Sequence, residues 1–161
     1  VADHGREPGF AFQCREETRV DLDGVITLRR VRPVESSTMA GPAGIVVVAS
    51  RIERAELARL VESFFRDMVK YVVDVRRRVA AVGGELHSDG ERLLLDAGSQ
   101  QPDLWGANYY PGRGPDYCIE YTALINIRPS QDNRSMEIQD PGTRELVREI
   151  TFELIGAGEK L

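Results

Sequence analysis

The chain has 161 residues, carries a formal net charge of −5, and is 29% charged and 42% hydrophobic. This is the composition of about one folded domain, not of a disordered or collagen-like chain. No apolar run approaches the roughly 18 residues of a membrane helix, and the acidic balance argues against nucleic acid as a partner, because such binding draws on phosphate neutralisation.

Residues 1–43 contain Pro8, Pro33 and Pro42 and sustain no hydrophobic period. The exception is Val20-Asp21-Leu22 and Val25-Ile26-Thr27-Leu28 around Asp23-Gly24. That is a two-residue hairpin signal, but a lone hairpin is marginal in water. The segment is therefore expected to be a weakly structured extension, and 44–161 a single compact domain. Position 1 is Val and the first methionine is Met39, which fits either a non-AUG start or an over-extended reading frame. Charges at Asp3, Arg6, Glu7, Arg15 and Arg19 leave no apolar core for a signal peptide. Cys14 and Cys118 form no CxxC, so free thiols in a cytoplasmic protein are expected.

From Gly44 the pattern sharpens. Ile45-Val46-Val47-Val48 reads as a buried strand. Ser50 and Glu53 have the spacing of a capping box. Leu57, Leu60, Val61, Phe64 and Met68 follow at helical spacing over about 53–66. The valine-rich stretch 69–86 fits a hairpin, with strands at about 69–75 and 79–86 and a turn at Arg76-Arg77-Arg78. Ser88 and Glu91 suggest a second capping box for a helix that ends at Gly98. Trp105, Ala107 and Tyr109 alternate along the next strand. In 117–128, Tyr117, Ile119, Tyr121, Ala123, Ile125 and Ile127 predict one inward face of a long strand, with Leu124 as the exception. A short strand should bury Met136 and Ile138. Asp140-Pro141 then starts a helix carrying Leu146, Val147, Ile150 and Leu154. The expected fold is α+β, a two-layer arrangement of an antiparallel or mixed sheet with about three helices mainly on one face.

Three stretches carry a resemblance: Gly83-Gly84-Glu85-Leu86-His87-Ser88-Asp89, the run 98–108 (GSQQPDLWGAN), and the run 125–138 (INIRPSQDNRSMEI). Together they resemble a family of small bacterial proteins catalogued as a domain of unknown function. The resemblance covers about 44–156. It implies the domain boundary but no activity, and residues 1–43 depart from the family pattern.

Three polar patches are candidates for function. Glu85, His87 and Asp89 share a face if extended, and a histidine between carboxylates can bind a divalent ion or act as a base. Three candidate ligands in five residues, with no fourth identified, do not make a metal site, and no cofactor is assigned. Arg128, Gln131, Asn133, Arg134 and Glu137 offer guanidinium forks and amides for a carboxylate or phosphate. Trp105 and Asn108 belong to a third patch with Gln100, Gln101, Asp103, Tyr109 and Tyr110, suited to a pocket or partner surface. No P-loop, dinucleotide fingerprint, HExxH helix or nucleophile elbow occurs. Two functions follow as expectations. One is a ligand- or partner-binding module, taking a small anion, another protein or a second copy of itself. The other is a small hydrolase or toxin-like nuclease using His87 as base with Arg128 or Arg134 stabilising an anion.

Overall fold

The computed structural model describes residues 44–161 together with the backbone of Met39–Ala40. The expected extension and the hairpin around Asp23-Gly24 lie outside the described residues. In chain order the elements are β1 (Met39–Ala40), β2 (Val46–Val48), α1 (Arg54–Phe64), β3 (Val69–Asp74), β4 (Val79–Val82), α2 (His87–Asp96), β5 (Leu104–Tyr109), β6 (Ile119–Glu120) and α3 (Pro141–Leu154). The strands form one sheet in the order β1-β2-β4-β3-β5-β6, antiparallel at every pairing. The α+β class, the antiparallel sheet and the three helices are as expected. Met39 and Ala40 pair with Val47 and Val46, so the sheet takes in two residues ahead of position 44.

Successive strand residues point to opposite faces, and both faces are covered. Val46, Val48, Tyr71, Val73, Ala80, Val82 and Tyr109 pack with Leu57, Leu60 and Val61 of α1 and Val147, Ile150 and Leu154 of α3. Ile45, Val47, Val72, Ala81 and Leu104 pack with Leu94 of α2 on the other face. A sheet buried on both sides needs apolar residues at every position. That requirement explains the unbroken runs in β2 and β4. Two helices therefore share one face, and α2 covers part of the second. Gly90 lets α2 approach closely, since a Cβ there would lie 3.2 Å from Val72. On the first face the Tyr71 hydroxyl meets Thr151 Oγ1 of α3 at 2.7 Å, giving a buried polar pair its partner.

The β3–β4 hairpin turns at the arginines as expected, because Asp74 Oδ1 accepts from the N–H groups of Arg76 and Arg77. Its second strand stops at Val82 instead of 86, where Gly83 and Gly84 take positive φ. Neither capping box forms. The N-caps of α1 and α2 are Glu53 and Leu86, without a side-chain cap bond, and α2 begins at His87. Asp140 does cap α3, its carboxylate accepting from Thr143 N and Oγ1 at 2.7 Å each.

The largest departure is 117–128, which is not one strand. Only Ile119–Glu120 pairs with β5, and the chain then turns through Leu124–Asn126 and Pro129–Gln131. Isolated bridges join Thr122 to Glu137 and Arg128 to Asn133. The inward face is correspondingly altered. Tyr117 (76% exposed), Ile127 (46%) and Met136 (44%) face water, whereas Cys118 and Asn126 are buried; Leu124 is exposed and Ile138 buried as expected. Alternation reported a local preference, which the packing over Gly106 overrides. A Cβ at Gly106 would sit 2.6 Å from the Ala123 Cβ. Both atoms are fixed by backbone, so Gly106→Ala is expected to cost about 1–3 kcal/mol, measured as a lowered urea midpoint at unchanged slope. A neutral substitution would contradict this packing.

Candidate functional site

The open edge of β5 organises the region where most candidate residues lie. β6 pairs with β5 only at Asn108 and Tyr109, which leaves Gly106 facing an edge with no strand beside it. The Asn126 side chain takes the place of that strand. Its Oδ1 accepts from Gly106 N at 2.9 Å, and its Nδ2 donates to Gly106 O at 2.9 Å and to Met136 O at 3.0 Å. A second buried amide fixes the loop from within. Asn133 Nδ2 lies 2.8, 2.9 and 3.1 Å from the carbonyls of Asn126, Ser135 and Glu137, and its Oδ1 accepts from Gln139 N at 2.8 Å. A carboxamide suits both tasks because it offers donors and an acceptor on one rigid plane.

Arg128 ties this loop to α2 and to the turn before β5. One Nη donates to Gln101 O at 2.6 Å and the other to Glu91 at 3.1 Å, while the guanidinium sits 5.2 Å from the Trp105 ring centre. The pair is largely withdrawn from water, at 7% and 15% side-chain exposure. Burial pulls the Arg128 pKa down and the Glu91 carboxylate opposes this. Gln131 adds a bond to Pro102 O at 3.0 Å. Arg128, Gln131 and Asn133 are thus engaged in holding the fold, and Trp105 is core. Glu137 pairs with Arg144 at 2.5 Å. Arg134 is exposed, and among the described contacts only its backbone is bonded, to Gln139.

A separate polar row crosses the α2 face of the sheet. Register places Lys70, Asn108 and Glu120 side by side on β3, β5 and β6, with His87 at the start of α2 above them. Asn108 Nδ2 donates to Glu120 at 2.7 Å, the Tyr110 hydroxyl donates to the same oxygen at 3.1 Å, and Lys70 Nζ donates to the Glu85 carbonyl at 2.9 Å. His87 Nε2 donates to Ala107 O at 3.0 Å, which puts the neutral ring's proton on Nε2. Asn108 Oδ1 is buried without a hydrogen bond. Burial lowers the His87 pKa most; the Ala107 carbonyl, Asn108 and Glu120 push it up, and Lys70 adds to the lowering. The Asp89 side chain takes no described part, and Glu85 contributes through its carbonyl.

The structure therefore brings His87 and Asn108 together, but places Arg128 in a different group, where both its Nη atoms are bonded and its Nε is buried without a hydrogen bond. Among the described residues no three or more His, Cys, Asp or Glu are grouped to hold a metal ion. Lys70, Glu120 and Asn126 were missed as organising residues. Lys70 carried a signal, as the one cation within an apolar strand of an arginine-rich chain with only two lysines. Asn126 carried none, because alternation put it on an outer strand face.

An antiparallel sheet covered on both sides, with an asparagine-braced loop along one edge, defines a small α+β domain. A family model described as "Protein of unknown function (DUF5674)" matches residues 46–154, more than half of the chain, and the chain belongs to that family. No curated protein matches it, and no solved structure does. No helix among the described residues is long and apolar enough to cross a membrane.

The lowered His87 pKa has a definite sign. Above the ordinary value of about 6.5 the ring is neutral in both folded and unfolded chains; below it the unfolded chain binds the proton more readily. Stability should fall as pH drops through 6.5 toward the lower folded value. Urea titrations at pH 7.5 and 5.5 should show this loss in the wild type and a smaller one in His87→Gln, whose amide can still donate to Ala107. Equal pH dependence in both proteins would refute the assignment.

Proposed function

We propose that the chain is a non-catalytic binding module of the bacterial cytoplasm that recognises a protein partner through the loop 124–136. The observation behind this reading is the exposure of Leu124 (72%), Ile127 (46%) and Met136 (44%) on a loop whose backbone is braced by two buried asparagines. Large apolar side chains facing water on an ordered loop suit a recognition surface, and a loop ordered beforehand loses less entropy on binding. Arg134 adds an exposed cation to the same loop, and loops carried on a rigid scaffold are frequent sites of recognition. The hydrolase reading draws less support. His87 Nε2 is bonded to a backbone carbonyl, and Arg128 is paired with Glu91.

The test is affinity capture from source-cell lysate with the wild-type protein and with Leu124→Ser/Met136→Ser, alongside sedimentation of each alone. The account expects one protein held by the wild type and lost at least tenfold by the variant, whose fold is unchanged. Wild-type dimers lost in the variant would make the partner a second copy. Capture indifferent to the substitutions, or none with a monomer, would overturn the proposal.

A further inference from the structure

A cavity of about 210 Å³ opens between the start of α1 and residues 155–161, and of the polar patches described above only Tyr109 lines it. Its apolar lining is Ile52, Leu57, Ile155, Leu161 and the Tyr109 side chain; its polar side chains are Arg51, Arg54, Glu159 and Lys160. The rim carries three cations against one carboxylate, in a protein whose net charge is −5. That carboxylate is already engaged. Glu159 accepts from Arg51 at 3.3 Å and from Ala157 N at 2.8 Å. Arg51 also donates to Phe152 O at 2.7 Å. The Tyr109 hydroxyl accepts from Gly158 N at 2.9 Å, and burial pushes the phenol up to about 12, so it stays neutral at physiological pH.

Arg54 differs from Arg51. One Nη donates to Lys160 O at 2.8 Å; among the described contacts its other Nη and its Nε have no partner, and neither has the Lys160 ammonium. A guanidinium with one free edge matches a carboxylate, which takes two parallel N–H bonds. The apolar lining beside it calls for a ligand with a hydrocarbon body, which inorganic phosphate lacks. The volume lies below the roughly 300 Å³ at which drug-sized sites begin, so the ligand is small.

We propose that this cavity binds a small organic monocarboxylate, with its head on the free edge of Arg54 beside Lys160 and its apolar body against Ile52, Leu57 and Ile155. The inference is independent of the partner surface on the loop 124–136.

The experiment is an amide-resolved NMR titration of the full chain with sodium hexanoate, with inorganic phosphate and 1-hexanol as comparison probes, repeated on Arg54→Gln and Lys160→Gln. Both substitutions fall at the rim, and retained chemical-shift dispersion confirms the fold. The expected result is saturable hexanoate shifts at Ile52, Leu57, Tyr109 and Ile155, weakened at least fivefold in Arg54→Gln and by a smaller factor in Lys160→Gln, with weaker effects from phosphate and hexanol. A flat titration overturns the proposal. So do equal responses to phosphate or to hexanol, or shifts that Arg54→Gln leaves unchanged.

Discussion

A single side-chain amide closing an open sheet edge is the constraint on which the rest of this structure depends. β5 is flanked by β3 along its whole length but by β6 at only two residues. An unpaired backbone group shut away from water costs free energy comparable to a lost hydrogen bond. Extending β6 would solve this by adding a strand. The chain instead turns at Leu124–Asn126 and supplies a carboxamide that offers Gly106 one acceptor and one donor, as a neighbouring peptide would. Closing the edge with one residue frees the rest of 121–139 from strand geometry. The loop can then present Leu124, Ile127 and Met136 to water while Asn133 and Arg128 hold it from inside.

Much of the fold was legible because it followed from periodicity and caps. The 3.6-residue spacing of Leu57, Leu60 and Val61 marks the buried stripe of α1, and Asp140-Pro141 marks the start of α3. The continuous apolar runs of β2 and β4 identify strands covered on both faces. What was not legible depends on contacts between residues remote in sequence. Residues 117–128 alternate well enough for a strand, and nothing local reveals that Gly106 sits opposite, packed under Ala123 and Ile125. Glu91 has the spacing of a capping residue, yet it faces a buried guanidinium 37 positions away that competes for its carboxylate.

The same distinction governs the candidate sites. Arg128 and Asn133 have the chemistry of ligand-binding residues, and the fold uses that chemistry internally: a buried arginine needs a carboxylate, and a buried amide needs its donors and acceptor satisfied. His87 and Asn108 do meet, because the register of β3, β5 and β6 lines up Lys70, Asn108 and Glu120 beneath the first turn of α2. That alignment is tertiary information, read only once strand order is known. The groups the fold does not consume are the apolar side chains of the braced loop on one edge and, at the cavity beside α1, the free edge of Arg54 and the Lys160 ammonium.

The most direct test of the central claim is amide hydrogen exchange at Gly106 in the wild type and in Asn126→Ala, with Val72 and Ala81 as references in the middle of the sheet. If the carboxamide replaces a strand, Gly106 is protected in the wild type nearly as well as the references. In the variant its protection relative to them falls by roughly tenfold or more, the scale of one lost hydrogen bond. Rapid exchange at Gly106 in the wild type, or protection that the substitution leaves in the same ratio to Val72 and Ala81, would contradict the account.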